Sequence, residues 1–248
     1  MIANDDIMID VRNVKKSFDD FHVLKGISMQ VAKGTSEVIL GRSGIGKSVM
    51  LKSIVGLLIP EEGSIRIKNE EVIGMSVQDL NRLRKNIGYV FQYAALYDSM
   101  TVRENLEFPL RKNTQADEVE IEARVREDLR LVGLEEAIDK MPGELSGGMK
   151  KRIGLARAIV ARPEIVLYDE PTAGLDPITA RGISELILDL NQQLGITSIT
   201  VTHDLECTRT VADTVYLLED GIFTHNGTFT ELQNMSDPLV QAFFQGTK

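Results

Sequence analysis

The chain has 248 residues, room for one large domain or two small ones. At 43% hydrophobic and 26% charged residues it reads as globular, and a net charge of -9 argues against a broad nucleic-acid surface. No apolar run is long enough to cross a bilayer, the single Cys207 excludes an internal disulfide, and residues 1–6 lack the basic start of a signal peptide, so the expected compartment is the cytosol.

Residues 7–11 and 23–31 read as strands, separated by a polar turn at 15–20 that carries Phe18. Phe18 is either a hairpin core residue or a platform for a nucleobase, since stacking needs only a π-face. The apolar stretch 38–40 leads into Gly41, Arg42, Ser43, Gly44, Ile45, Gly46, Lys47 and Ser48, followed by Val49. These match the phosphate-loop pattern G-x-x-x-x-G-K-[ST] at every fixed position, and Met50, Leu51, Ile54 and Val55 continue with helical spacing. Glycines let backbone amides turn inward around phosphate oxygens, and the helix N-terminus adds partial positive charge. In such a loop Lys47 reaches the β- and γ-phosphates and the Ser48 hydroxyl ligates Mg²⁺.

Further on, 64–68 alternates as a strand, and 76–84 reads as a short helix with Leu80 and Leu83 inward. A strand over 87–91 ends at Gln92. Residues 93–100 are apolar and aromatic for a loop, either a buried connector or a docking surface. Thr101 to Glu104 has capping-box form, and Ile121, Val125, Leu129 and Val132 share one face of a helix over 117–132. The middle of the chain is therefore a helical insertion into an α/β domain. Ser146, Gly147 and Gly148 open the next helix as a second backbone anion site. The continuous apolar run 165–168 reads as a buried parallel strand ending in Asp169 and Glu170, where α/β sheets place their chemistry. Asp176-Pro177 caps a helix, a strand over 196–202 ends at His203, and Asp220-Gly221 signals a hairpin. The tail at 238–244 is apolar enough to dock on its own subunit or on a second copy.

This ordered set resembles the nucleotide-binding subunit of an ABC (ATP-binding cassette) transporter over nearly the whole chain. The resemblance matches Gln92 to the Q-loop, Leu145-Ser146-Gly147-Gly148 to the signature, 165–170 to the Walker B strand with its catalytic glutamate, 173–176 to the D-loop and His203 to the switch histidine. It favours Phe18 as the adenine-stacking aromatic. The implied fold is a P-loop NTPase core with an antiparallel β subdomain and an inserted helical subdomain. One cassette would cover 1–248: core and β subdomain at 1–92 and 160–236, helical subdomain at 93–159, tail at 237–248. ATP and Mg²⁺ are the implied ligands, with Ser48, Gln92 and Asp169 toward the metal, Glu170 on the attacking water and His203 at the γ-phosphate. A head-to-tail homodimer would place Ser146–Gly148 of one copy on the nucleotide of the other.

Met149 stands where the signature usually ends in Gln. With 43–47, 91–102 and 175–178 it is similar to the Mla/Mce-type branch, whose members energise lipid traffic across the bacterial envelope and in related plastid systems. That likeness implies a permease, an MCE-type substrate-binding protein, no nucleic acid, and the cytoplasmic face of the inner membrane. A soluble ATPase of the iron–sulfur-assembly type is the alternative. A nucleotide-gated scaffold would lack a catalytic residue, and both Glu170 and His203 are present.

Overall fold

The computed structural model describes residues 6–245. The reading of the first residues for a leader lies outside these, apart from Asp6, as does the end of the expected tail, 246–248. In chain order the elements are β1 (Ile7–Phe18), β2 (Phe21–Ala32), β3 (Ser36–Leu40), α1 (Lys47–Ile54), β4 (Glu62–Ile67), β5 (Glu70–Glu71), α2 (Val77–Arg84) and β6 (Ile87–Val90). There follow α3 (Val102–Asn113), α4 (Glu118–Leu131), α5 (Gly147–Ile159), β7 (Ile165–Asp169) and α6 (Pro177–Leu194). The last are β8 (Thr197–Thr202), α7 (Leu205–Val211), β9 (Thr214–Glu219), β10 (Ile222–Gly227), α8 (Phe229–Asn234) and α9 (Pro238–Gln245). The fold is α/β, and it divides into two compact units: one runs to Asn81 and resumes at Thr197, the other is Arg82–Ile196.

In the first unit β3 lies between β8 and β9, parallel to both, and β10 folds back on β9. All five residues of β3 are buried, so the strand reads as an unbroken run instead of an alternation. A separate antiparallel sheet has the order β2-β1-β4-β5. Strand β1 continues to Phe18, well past the expected 7–11, and only Asp19 and Asp20 form the turn. The polar residues that masked this strand pair across it: Lys15 with Glu62 at 2.7 Å and Lys16 with Glu61 at 2.5 Å. Such surface pairs add little stability, so the hydrogen-bond ladder holds the extension. Lys68 is not in β4 as expected; with Asn69 it takes a left-handed conformation and turns the chain into β5. The hairpin at Asp220-Gly221 forms with both residues at positive φ, and a side chain at Gly221 would lie 2.7 Å from the Val23 carbonyl. The tail docks on its own chain: Val240 is fully buried with Leu40, Val215, Leu217 and Leu232, and Phe244 meets Phe229 edge-on at 5.3 Å.

In the second unit α3, α4 and α5 close on one core that includes Val102, Leu106, Ile121, Val125, Leu129 and Ile153. The expected capping box of Thr101 with Glu104 is present, and Asp117 with Glu120 repeats it at the head of α4. Asp128, fully buried on α4, accepts from Arg162 at 2.6 Å. Strands β6 and β7 run parallel, with Val90 opposite Tyr168.

Glu37 is a buried acid near the start of β3. Burial pushes its carboxyl up to about 7, against the hydroxyls of Thr35 and Thr214, which pull the other way. A carboxyl raised in the folded state binds its proton more tightly there than in the unfolded chain. Its contribution is therefore fully present below the ordinary carboxylate range and lost as pH rises through about 7. Glu37→Gln should remove a loss on the order of 3 kcal/mol between pH 5 and pH 8, measured by denaturant unfolding at each pH. An unchanged pH dependence in the variant would refute this.

Candidate active site

The first unit assembles one group of the expected residues at the C-terminal ends of its parallel strands. Leu40 on β3 lies opposite Thr202 on β8, so Gly41 and His203 leave the sheet side by side, and the Gly41 amide donates to the Thr202 carbonyl at 3.2 Å. Arg42, Ser43 and Gly44 are exposed, while Gly46 and Lys47 are buried. Gly46 has φ 112° and opens α1 as its N-cap; a Cβ there would lie 2.6 Å from Val23 Cγ1. The loop can therefore lie this close to β2 only at a residue with no side chain, and its exposed part leads into the N-terminus of α1. The Lys47 ammonium donates to the Gly41 carbonyl at 2.7 Å and the Arg42 carbonyl at 3.0 Å, lying along the loop. Ser48 and Val49 are half-buried on the first turn of α1, and His203 is exposed. Phe18, 44% exposed, ends the strand paired with the one whose Val23 touches the loop, and the Lys16 ammonium stands 5.2 Å from its ring centre.

The second unit assembles the other group. Because Val90 faces Tyr168 in register, Gln92 and the pair Asp169, Glu170 emerge from neighbouring parallel strands. Both acids are 6% exposed. The Tyr89 hydroxyl donates to Asp169 Oδ2 at 3.1 Å; burial, and then the carboxylate, push this phenol well above its usual range, so it stays a donor. Glu170 sits at φ 48°, a left-handed setting that a non-glycine residue keeps only when its surroundings impose it. Lys151, buried on α5, donates to the carbonyls of Gln92 at 2.6 Å and Glu170 at 3.3 Å. Ser146 caps α5, accepting from the Met149 amide at 3.3 Å. Gly147 lies near Leu175, and a Cβ on Gly148 would reach Thr179 Cγ2 at 2.8 Å, so the signature glycines also make room for the head of α6. Asp176 caps that helix through the amides of Ile178 and Thr179, each at 3.1 Å. Met149 is partly buried and packs its thioether side chain on the helical core.

The loop after Gln92 is both connector and surface. Ala94 and Ala95 are consecutive left-handed residues, with Ala94 buried against Gly154. The fully buried Asn105 amide donates to the carbonyls of Tyr97, Met100 and Thr101 and accepts from the Tyr97 amide. Arg157 donates to the Ala95 carbonyl and stacks 4.6 Å from the Tyr97 ring centre. Leu96 packs inward, whereas Tyr93 is 87% exposed.

A model of the ABC transporter family matches residues 24–173. The chain is 42% identical over 98% of its length to the probable ribonucleotide transport ATP-binding protein mkl of Mycobacterium leprae, covering 70% of that protein. This chain belongs to the ABC transporter family. The cassette is 38% identical over 96% of its length to the intermembrane phospholipid transport system ATP-binding protein MlaF of Haemophilus influenzae, covering 90% of it. It superposes on the dimeric ATP-binding cassette MJ0796 bound to ADP and Pi with a TM-score of 0.82 and 33% identity, over 90% of this chain and 99% of that one. The cassette is an ATPase that uses ATP and Mg²⁺. The residue types fit the pair within each unit: in the first the loop carries amides, one ammonium and the Ser48 hydroxyl, and in the second Gln92 and Asp169 carry side-chain oxygens of the kind Mg²⁺ takes. Among the described residues there is no cluster of three His, Cys, Asp or Glu able to hold a metal alone.

Sequence reasoning missed Tyr89, Asn105, Lys151 and Arg157. The available signal for Lys151 was a lysine on the apolar stripe of α5, between Gly147 and Leu155 at i±4.

Gly44 and Gly46 separate two reasons for glycine. Both have positive φ, but a Cβ on Gly44 meets nothing within 4 Å. Gly44→Ala should cost about 1 kcal/mol from conformation alone, and Gly46→Ala clearly more because it also collides with Val23. Denaturant unfolding of the two variants measures this; equal costs would show that the contact with β2 does not shape the loop.

Proposed function

We propose that this chain is the ATP-hydrolysing subunit of a transporter that moves lipid, phospholipid foremost, across the bacterial cell envelope. The observation carrying the lipid reading is the likeness to the Haemophilus phospholipid-transport subunit, which extends over nearly all of both chains. The mycobacterial relative, described as a ribonucleotide transport protein, supplies the second reading, a ribonucleotide cargo. No helix among the described residues is long and apolar enough to cross a membrane. The cassette would therefore bind the cytoplasmic face of the inner membrane through a permease, in a complex with an MCE-type substrate-binding protein. The domain reading is kept as part of the proposal: a single cassette whose residues 93–159 form the helical subdomain.

In the reaction Lys47 and the loop amides from Gly41 to Ser48, with Val49 behind them, hold the phosphates, and Phe18 stacks on adenine. Ser48 and Gln92 are assigned to Mg²⁺, with Asp169 beside them. The bound ion supplies charge neutralisation on the transferred phosphoryl group. Glu170 orients and polarises the attacking water, and His203 contacts the γ-phosphate. Two copies pack head to tail, so that Ser146, Gly147 and Gly148 of each complete the nucleotide site of the other; the superposed cassette MJ0796 is itself a dimer. ATP closes this dimer, hydrolysis opens it, and residues 92–105 pass the motion to the permease.

Two measurements test this. Glu170→Gln keeps the shape of the side chain but loses its charge and basicity, so kcat should fall by about a hundredfold or more while ATP affinity by calorimetry is kept. In vesicles carrying the assembled complex, wild-type protein should drive ATP-dependent movement of labelled phospholipid and Glu170→Gln should not; movement of ribonucleotide alone would overturn the lipid reading. The docking role of the loop rests on Tyr93, the most exposed large apolar side chain of the segment. Tyr93→Asp should weaken permease binding by about tenfold with the melting temperature unchanged, as for loss of an aromatic anchor. Full-strength binding would make the loop a connector only.

A further inference from the structure

The roles assigned so far leave Lys151 without a task. It lies on α5 one turn after Gly147 and is only 7% exposed. An ammonium is rarely taken out of water unless it is paired and hydrogen-bonded. Here its bonds go to two backbone carbonyls, at 2.6 Å to Gln92 and 3.3 Å to Glu170, and the carboxylates of Glu170 and Asp169 attract its charge. The two carbonyls belong to the residues at which two parallel strands deliver their chemistry. Glu170 is also the residue held at φ 48°, a conformation that needs a restraint. A hydrogen bond to its carbonyl from a cation fixed in a helix is such a restraint.

We propose that Lys151 is a positioning residue for ATP hydrolysis: by gripping the Gln92 and Glu170 carbonyls with one ammonium, it sets the orientation of Glu170 and ties the start of the partner-facing loop to it. Because the grip comes from α5, the helix headed by Ser146–Gly148 is bound to both. A shift of the loop at 93–101 then reaches Glu170 through a single side chain. The inference rests on the assignment of Glu170 to the attacking water.

The test uses the full-length chain as Lys151→Met, which keeps length without charge, Lys151→Arg, which keeps the charge, Glu170→Gln, and the Met/Gln double variant. Steady-state and single-turnover hydrolysis give kcat and KM, and amide hydrogen exchange reports on residues 91–96. Lys151→Met should lower kcat by about tenfold or more with KM within about threefold, since Lys151 does not itself hold nucleotide. Exchange at 91–96 should rise, Lys151→Arg should recover part of the rate, and the double variant should be no slower than Glu170→Gln alone. Should Lys151→Met fail to fold, Lys151→Gln, a shorter neutral donor, is judged by the same criteria. A folded neutral variant with wild-type kcat and unchanged exchange overturns the inference. So does a loss that arginine does not ease and that adds in full to Glu170→Gln, the mark of a merely structural lysine. Normal impairment of Glu170→Gln beside an intact Lys151→Met sinks this inference alone, whereas near-wild-type hydrolysis by Glu170→Gln removes the assignment of Glu170 and this inference with it.

Discussion

Leu40 paired in register with Thr202, on adjacent parallel strands, fixes where the loop from Gly41 and His203 leave the sheet in the first unit. Parallel strands end at the same edge, so whatever follows them is delivered there together. The loop after β3 and the histidine after β8 share that edge for this reason alone. The second condition is steric: Gly46 must lie against Val23, so the β1–β2 hairpin and the loop are built as one piece. The same hairpin carries Phe18 at the end of β1, so its place is set by the strand pairing that also sets Val23.

The second unit repeats the device with Val90 opposite Tyr168 and adds strain. Glu170 and the pair Ala94, Ala95 all occupy left-handed backbone settings that cost of order 1–3 kcal/mol each. Their restraints are visible. Asn105 satisfies three carbonyls of the loop from inside the helical core, Arg157 clasps Ala95, and Lys151 holds Gln92 and Glu170. Each anchor is a buried or half-buried polar group that donates to backbone carbonyls, so the loop keeps one shape while exposing Tyr93.

The sequence by itself determined the chemistry-bearing motifs and the elements that carry them. The phosphate loop, Asp169-Glu170 at the end of an apolar run, Ser146 and Asp176 as helix caps and the Asp220-Gly221 turn all depend on residues close together in the chain, and each is where the pattern placed it. Tertiary structure alone decided what depends on partners distant in sequence. Strand β1 extends to Phe18 because its backbone ladder runs on to Phe21 on β2 and pairs Lys15 with Glu62 on β4, more than forty positions away. Met149 and Leu96 turn inward while Tyr93 turns out, although all three looked alike as apolar residues near a motif. The tail chose its own chain because Leu40, Val215 and Leu217 left a face for Val240 to cover. Lys151 gives the sharpest contrast. Periodicity reports which face of a helix is buried, but not that the polar group on that face has two carbonyls waiting for it from separate strands.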